Sequence, residues 1–286
     1  MLYEDTRYIM NKYKINADKS LGQNFLIDEN IVMQIKENAN ITKDDLIIEI
    51  GPGLGNLTKE LLESAKKVIA IELDKRMINI LEDRFALDKN LEIINDDILK
   101  VDLDSLIKKE MNENDIKQAK IVANLPYYIT TPIIMKLLEE KVNIESITVM
   151  VQKEVADRLC EIPGGKLAGA ITYTVYYYSE PAKIVKVPKE SFIPVPKVDS
   201  QVISLKIRKK PIVNVINEEN FFKIIKYAFM QRRKTLINAL SNCDLFKDKD
   251  EIKKIITKLG LNEKIRGEEL GIEEFAKIAN SLSTMQ

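Results

Sequence analysis

Four consecutive residues, Asn124-Leu125-Pro126-Tyr127, combine groups that can bind and orient a flat base carrying an amino group. They end the mostly apolar run 119–124, which is typical of a buried strand. The Asn124 amide oxygen and the Leu125 carbonyl can both accept hydrogen bonds from one amino group, and the Tyr127 ring can stack on the base. The tetrapeptide alone also suits an ordinary turn, since Asn and Pro are common turn residues.

A glycine-rich turn further upstream indicates a nucleotide-like cofactor. The apolar run 46–50 is typical of a buried strand, and it leads into the turn 51–55 (GPGLG) and then a helical pattern. Glycines let the backbone bend sharply and approach a ligand, although such a motif alone is weak. Glu72 ends the next apolar run, 21 residues after Gly51. A carboxylate at this distance binds a ribose diol in strand-turn-helix folds.

The glycine spacing distinguishes two classes of cofactor. Dinucleotide-binding folds use G-x-G-x-x-G, whereas this chain has G-x-G-x-G with the acid Glu49 two residues ahead of Gly51. With Glu72 for a ribose and an acid after the third strand (Asp96 or Asp97) for an adenine, the pattern resembles Rossmann-like S-adenosylmethionine-dependent methyltransferases. It favours them over nicotinamide enzymes. Taken singly, these carboxylates also suit solvated strand ends.

A methyl donor in this position suits methylation of adenine. The six-amino group of adenine is a poor nucleophile because its lone pair is delocalised into the ring. Acceptors such as Asn124 and Leu125 favour a pyramidal, nucleophilic nitrogen, and a sulfonium methyl held in line reacts with it. The base must leave its stack for this reaction. Methylation at carbon-5 of a pyrimidine needs a thiolate, and neither Cys160 nor Cys243 ends a strand beside the glycine turn.

Composition excludes several other classes of function. The 286 residues are 45% apolar and 31% charged, as in globular proteins in water. Histidine is absent and the two cysteines lie far apart. The absence of histidine excludes histidine bases and triads. The two distant cysteines argue against a disulfide framework or a zinc site, so we expect no metal. No apolar run reaches the roughly 18–20 residues of a membrane span, and the first residues lack a signal-peptide core. We expect a cytoplasmic protein that binds no membrane.

Positive charge is concentrated in one region although the net charge is zero. Residues 181–240 contain 13 Lys and Arg against 4 Asp and Glu. Such an excess suggests a polyanion partner, while a solvated lysine-rich face is the simpler alternative. Arg232, Arg233 and Lys234 open a predicted helix in this region and fit phosphate binding.

Strands alternating with helices predict an α/β fold with a mostly parallel, seven-stranded sheet. Parallel strands are expected at 46–50, 68–73, 91–95, 119–124 and 146–152, and a closing pair at 182–187 and 201–208. Ligands bind beyond the carboxyl ends of such strands. Gly51, Glu72, Asp97 and Asn124 all lie at those ends, and their convergence is more specific than any one of them.

Beyond Pro211 the sequence predicts a small all-helical domain. Helical patterns cover 221–230, 232–241, 251–259 and 273–282. We therefore expect a Rossmann-like domain with an N-terminal extension at 1–210 and a helical domain at 211–286. The three tyrosines at 176–178 continue a helical pattern, and we expect them mostly in the core.

Seven motifs in order make the chain resemble the ribosomal small-subunit RNA adenine dimethyltransferase family (KsgA type). They are GQNFL at 22–26, EIGPGLGNLT at 49–58, IELD at 71–74, NLPYYITTP at 124–132, QKEVADRL at 152–159, SFIPVPKVDS at 191–200 and QRRKTLINAL at 231–240. The resemblance extends over nearly the whole chain.

The resemblance implies that S-adenosylmethionine donates methyl groups to two adjacent adenosines in a hairpin loop near the 3′ end of small-subunit rRNA. The substrate would be the immature subunit, and 211–286 would bind RNA. The implied donor contacts are Asn24, Leu26, Gly51, Glu72, Asp97 (rather than Asp96) and Asn124. The target base would lie between Tyr127 and Phe192, although Phe192 by itself suits core packing better.

Other functions remain as alternatives. The macrolide-resistance (Erm) methylases share the fold, the glycine turn and the adenine chemistry but act on large-subunit rRNA. The chain length, KVDS at 197–200 and QRRKTLINAL at 231–240 favour the small-subunit family. A DNA adenine methylase would need a target-recognition domain, which is not evident. A non-catalytic assembly or transcription factor would not need the intact acids and the motif at 124–127. Nothing suggests an obligate interface, so we expect a monomer.

Overall fold

The computed structural model describes residues 1–18 and 21–284, and the chain divides into two compact units. Unit 1 consists of Met1–Ala156 and Pro181–Ile207, and unit 2 consists of Asp157–Glu180 and Arg208–Gln286. Of the helices in the described ranges, none is both long and apolar enough to span a membrane.

A seven-stranded, mostly parallel sheet is the framework of unit 1. The strands of the chain are β1 (Phe25–Leu26), β2 (Asp45–Ile50), β3 (Lys67–Glu72), β4 (Leu91–Asn95), β5 (Gln118–Asn124), β6 (Ser146–Gln152), β7 (Ser179–Val187), β8 (Phe192–Ile193) and β9 (Ser200–Ile207). The sheet has the order β4-β3-β2-β5-β6-β9-β7, while β1 and β8 form a separate antiparallel pair. Strands β2 to β6 are parallel and β9 is antiparallel to β6. The predicted sheet with its closing strands is confirmed.

The central strands are apolar because both faces of a parallel sheet are covered. Every residue of β2 is buried, as are the five central residues of β5 and of β6. The helices of this part of the chain are α1 (Leu2–Lys12), α2 (Glu29–Asn38), α3 (Asn56–Ser64), α4 (Lys75–Arg84), α5 (Leu103–Glu113), α6 (Thr130–Glu139) and α7 (Lys153–Leu159).

Short polar residues start the helices that follow strands β3 and β4. The Asp74 carboxylate accepts a hydrogen bond from the Arg76 backbone N–H at the start of α4, with a length of 3.0 Å. Asp102 accepts one from Ser105 N–H at the start of α5, also at 3.0 Å. These bonds satisfy donors that have no partner within the helix. They fix where α4 and α5 begin after the strands.

Unit 2 is helical, as predicted for the C-terminal region. Its helices are α8 (Ala170–Tyr178), α9 (Glu218–Met230), α10 (Leu236–Leu240), α11 (Lys249–Lys258) and α12 (Ile272–Ser283). In its core the ring centroids of Tyr173 and Phe275 lie 5.2 Å apart, and those of Tyr177 and Phe221 lie 5.4 Å apart. Residues 157–180 therefore pack with the C-terminal helices, whereas the sequence predicted all of 1–210 as one domain.

The predicted helix at 232–241 is wrong in its first part. Residues 231–234 form a turn after α9. Thr235 then caps α10, because its side-chain oxygen accepts a hydrogen bond from the Asn238 backbone N–H, 3.4 Å away, and the helix begins at Leu236. A turn, and not a helix, carries the three predicted RNA-binding residues.

Candidate functional site

A cleft opens in unit 1 at the carboxyl ends of β2, β3 and β5. Its lining consists of residues 21–26, 49–54, 56–57, 71–73, 96–98 and 124–129. Parallel strands bring these stretches together because their carboxyl ends share one edge of the sheet. The lining includes every residue predicted to bind the donor or to act in catalysis except Phe192.

The glycine turn presents bare backbone to the cleft. Gly51 and Gly53 have φ angles of +66° and +58°, a region in which other residues are strained. A Cβ on Gly53 would lie 3.3 Å from the Phe25 ring. The Gly51 N–H donates to the Ile71 carbonyl at 2.9 Å, which ties the turn to β3. A ligand can therefore approach the backbone of this turn closely.

Glu72 holds the glycine turn and keeps acceptor capacity in the cleft. One carboxylate oxygen accepts a hydrogen bond from Gly53 N–H at 3.2 Å, and the other accepts from Asp74 N–H at 2.9 Å. The side chain is buried, and burial is the main reason why its pKa is raised. Each oxygen retains a lone pair that can accept a hydroxyl hydrogen.

Glu49 is a second buried carboxyl group in the cleft, and the sequence analysis assigned it no contact. Its exposure is 1%, and it accepts a hydrogen bond from the Thr58 hydroxyl at 2.6 Å. Burial, reinforced by the negative charge of Glu72, raises the pKa of Glu49 to about 8. The sequence placed Glu49 in a predicted buried strand and in the glycine-turn pattern, but its hydrogen bond to Thr58 depends on how α3 packs and was not predicted.

Asp97 lies at the next strand end, after β4. Its carboxylate accepts a hydrogen bond from Leu99 N–H at 3.0 Å, while its own N–H donates to the Asp96 carboxylate at 2.7 Å. Both acids line the cleft, and Asp97 is the less exposed of the two. The turn thus presents a half-buried carboxylate next to Ile98, which is buried.

Asn24 and Leu26 line the cleft from the segment that contains β1. The Asn24 side-chain amide donates to the Gly22 carbonyl at 3.0 Å. Leu26 is buried, and its carbonyl accepts a hydrogen bond from the Asn56 side chain at 2.8 Å. The bond between Leu26 and Asn56 connects the segment with the start of α3.

Asn124 and Leu125 retain two acceptors that no described residue occupies. The Asn124 side-chain nitrogen donates to the Asn24 carbonyl, 3.3 Å away, so the amide oxygen Oδ1 is the free end. The Leu125 N–H donates to the Met150 carbonyl at 3.2 Å. Within the described ranges, no group donates to Asn124 Oδ1 or to the Leu125 carbonyl. Both acceptors are therefore available to a ligand.

The ring of Tyr127 is held by its hydroxyl group. That hydroxyl shares a hydrogen bond of 2.6 Å with the hydroxyl of Ser200, which is buried. Burial of the ring raises the pKa of the phenol. The preceding Pro126 carbonyl accepts from the Thr130 hydroxyl at 3.0 Å, which anchors the tetrapeptide to the start of α6. Tyr127 can therefore offer a fixed ring to a ligand.

Phe192 does not line the cleft, so its stacking on the target base stays a prediction. The side chain is 1% exposed and belongs to a core cluster that includes Leu26, Ile31 and Val202. Strand pairing places Phe192 opposite Leu26 in the small antiparallel sheet. The ring is buried in that core, and it supports the segment that contains Leu26.

The predicted RNA-binding residues differ in their partners. Arg232, Arg233 and Lys234 are exposed in unit 2. Arg232 forms an ion pair with Glu268 at 3.0 Å. In the described part of the chain, Arg233 and Lys234 take part in no ion pair or side-chain hydrogen bond. These two cations are therefore free to bind phosphate, whereas Arg232 is partly neutralised.

Metal and thiol chemistry have no matching group in the described ranges. The His, Cys, Asp and Glu side chains there form no group of three or more that could hold a metal ion. Cys243 is buried in unit 2, where burial raises the pKa of its thiol, and Cys160 is half-buried. Neither cysteine lines the cleft. The cleft therefore offers oxygen acceptors, carboxyl groups and the aromatic rings of Phe25, Tyr127 and Tyr128.

Sequence comparison relates the chain to RNA methyltransferases. The family model described as Ribosomal RNA adenine dimethylase matches residues 14–284. Ribosomal RNA small subunit methyltransferase A of Clostridioides difficile is 50% identical over 279 residues, which cover 98% of this chain and 95% of that protein. The protein of the same name from Bacillus cytotoxicus is 47% identical, with 97% and 95% covered.

Two solved structures share the fold. A dimethyladenosine transferase from Plasmodium falciparum superposes with a TM-score of 0.77 and 28% identity, covering 91% of this chain and 98% of that one. The 23S rRNA methyltransferase ErmE superposes with a TM-score of 0.68 and 25% identity, covering 91% and 100%.

Proposed function

The chain belongs to the ribosomal RNA adenine dimethylase family, and on this premise we propose that it methylates adenines of small-subunit ribosomal RNA. It transfers methyl groups from S-adenosylmethionine to the six-amino groups of two adjacent adenosines in the hairpin loop near the 3′ end. The observation that carries the proposal is the pair of unoccupied acceptors, Asn124 Oδ1 and the Leu125 carbonyl, in a cleft beside a glycine turn.

The chemistry of the cleft supports S-adenosylmethionine as the donor. Gly51 and Gly53 leave backbone open to the ligand, Glu72 has lone pairs for ribose hydroxyls, and Asp97 can accept from the adenine amino group. Asn24 and Leu26 close the cleft from the β1 segment. Among the described residues that line the cleft, none is Lys or Arg. A cation with an electrophilic sulfonium methyl therefore suits this acidic cleft.

On the base side, the chain acts mainly by positioning. Asn124 Oδ1 and the Leu125 carbonyl accept the two amino hydrogens and favour the pyramidal nitrogen that attacks the methyl group. The Tyr127 ring, fixed by Ser200, stacks on the extruded base. The methylated nitrogen is an acidic ammonium, so its proton can pass to water and the chain needs no histidine base.

We place RNA binding partly on the turn 231–234 of unit 2. Arg233 and Lys234 are exposed and unpaired among the described residues, and residues 181–240 contain 13 Lys and Arg against 4 Asp and Glu. Free cations on a turn can bind phosphates without reading base sequence. We therefore keep the helical region 211–286 as the RNA-binding domain, with residues 157–180 as part of its core.

The small subunit is favoured over the large one by sequence more than by fold. The 50% identity to a protein named for the small subunit extends over 98% of the chain, whereas ErmE shares 25% identity with a similar fold. An extruded adenine requires a loop that other components leave open, so we propose the immature small subunit as the substrate. We also propose that the protein acts in the cytoplasm as a monomer.

Transfer of labelled methyl groups to isolated unmethylated subunits tests the proposal. We expect label on small subunits only, approaching four methyl groups per subunit, since two adenosines each take two. Label on large subunits only would assign the macrolide-resistance type of activity. A protein that binds the donor but labels neither subunit would act on another nucleic acid. A protein that binds no donor would be a non-catalytic factor.

A further inference from the structure

The side chain of Asn56 is buried directly after the glycine turn and makes three hydrogen bonds. Its nitrogen Nδ2 donates to the Thr6 hydroxyl oxygen and to the Leu26 carbonyl, each at 2.8 Å. Its oxygen Oδ1 accepts from the Arg84 guanidinium at 3.2 Å. We call these four residues the Asn56 network. The amide thus uses both of its hydrogens and its oxygen.

The Asn56 network connects two stretches that line the donor cleft. Leu26 belongs to the 21–26 stretch, and Asn56 follows the glycine turn. Arg84 also donates to the carbonyl of Leu54, within the glycine turn itself. Hydrogen bonds from two side chains, Asn56 and Arg84, therefore connect the two cleft walls, in addition to the apolar packing between them.

The N-terminal helix α1 is connected to the 21–26 stretch and the glycine turn through the Asn56 network. Thr6 is fully buried, and its hydroxyl donates to the Leu2 carbonyl at 2.8 Å, so its oxygen is left to accept from Asn56. Asp5, one residue earlier, forms an ion pair with Arg84. Ile9 packs in one apolar cluster with Leu54. Helix α1 therefore contacts the glycine turn without lining the cleft.

We propose that Asn56 is a positioning residue for methyl-donor binding and that α1, through Thr6 and Asp5, is a supporting part of the donor site. This inference rests on the proposed donor site. A buried amide whose partners are lost leaves unpaired polar groups, which structures avoid by shifting the backbone. Here the backbone that would shift is that of Leu26 and Leu54, which lines the cleft.

The hydrogen bonds of the Asn56 network predict which substitutions weaken donor binding. Thr6→Val keeps the shape but removes the acceptor of Asn56, whereas Thr6→Ser keeps the acceptor. Asp5→Asn weakens the hold on Arg84 at a side chain that is 46% exposed, so it threatens folding least. Asn90→Ala is a matched control. Its amide donates to the Leu62 carbonyl at 3.1 Å. Asn90 directly precedes β4, so it lies at the amino ends of the parallel strands, whereas the cleft lies at their carboxyl ends.

Calorimetric titration of the full chain with S-adenosylmethionine, together with steady-state methyl transfer, tests the inference. We expect Thr6→Val to weaken donor binding by about three- to tenfold, where tenfold corresponds to about 1.4 kcal/mol. The donor KM should rise by a similar factor. The kcat at saturating donor should change less than twofold. Thr6→Ser and Asn90→Ala should bind like the wild type, and Asp5→Asn should show a smaller effect in the same direction.

Two results would overturn the inference, and they differ in what they imply for the proposed function. Wild-type protein that binds no donor would remove the proposed donor site and the inference with it. Wild-type binding with unchanged donor affinity in both Thr6→Val and Asp5→Asn would leave the proposed function intact and show that the Asn56 network only stabilises the fold. If Thr6→Val does not fold, Asp5→Asn alone decides between these outcomes.

Discussion

Substitution of Asn124 by alanine tests the chemistry of the cleft most sharply. The change removes Oδ1, one of the two acceptors assigned to the adenine amino group, and leaves the Leu125 carbonyl in place. Removing one preorganised hydrogen-bond partner of a reacting group typically costs about 100- to 1,000-fold in rate. The lost bond to the Asn24 carbonyl is neutral and 3.3 Å long, so it costs only about 0.5–1.5 kcal/mol of folding free energy. The protein should therefore fold and lose the methyl-transfer step.

The assay is single-turnover methyl transfer with saturating donor and saturating small-subunit RNA. We expect a rate at least about 100-fold below that of the wild type, with RNA affinity within about threefold. Asn143→Ala is the matched control, because Asn143 is an exposed asparagine outside the cleft lining. A rate close to wild type, or RNA affinity that falls as far as the rate, would refute the role assigned to Asn124.

Three further predictions concern the buried Glu49, the Ser200 hydroxyl that holds Tyr127, and the exposed cations of the turn 231–234. Burial raises the pKa of Glu49 to about 8, so the folded donor-free protein binds a proton that the unfolded chain releases at lower pH. The free energy of unfolding should therefore fall from about pH 5 to pH 8, by at most about 1.4 kcal/mol per unit, and Glu49→Gln should flatten this slope in urea titrations. Ser200→Ala should lower single-turnover methyl transfer by about three- to tenfold and leave donor affinity unchanged, because it frees the Tyr127 ring that stacks on the base. Replacing Arg233 and Lys234 by glutamine should weaken RNA binding and reduce the slope of log affinity against log salt by up to about 2 in filter-binding assays.

Each of these predictions has its own control and its own contrary result. Equal pH slopes in wild type and Glu49→Gln would mean that Glu49 is ionised in the folded protein. Tyr127→Phe should match Ser200→Ala, and additive losses in the double variant would show that the two hydroxyls act separately. Arg232→Gln is the internal control for the turn, because Arg232 is paired with Glu268. An unchanged salt slope in the double glutamine variant would place RNA binding elsewhere.

The positions of the cleft residues were predictable because strand periodicity fixes where parallel strands end. Glu72, Asp97 and Asn124 each follow an apolar run, and the ends of parallel strands must share one edge. Their hydrogen bonds were not predictable. That Asn124 donates to the Asn24 carbonyl, and so leaves Oδ1 free, depends on a contact between residues 100 positions apart.

The differences between the predicted and the observed structure come from tertiary contacts and from one local helix cap. Phe192 was assigned to the base by its place in a motif, but pairing with Leu26 buries its ring. Residues 232–241 have a helical pattern, yet the Thr235 cap starts the helix only at Leu236. Residues 157–180 lie early in the chain but pack with later helices, because the ring of Tyr173 packs with aromatic residues of α9 and α12.

Mapping of the methylated nucleosides tests the central claim most directly. Unmethylated small subunits are incubated with the protein and S-adenosylmethionine, and nuclease fragments of the RNA are then sequenced by mass spectrometry. The account predicts two adjacent adenosines, each carrying two methyl groups on the six-amino nitrogen, in the hairpin loop near the 3′ end. Methyl groups on another atom, on another base or on large-subunit RNA alone would contradict it.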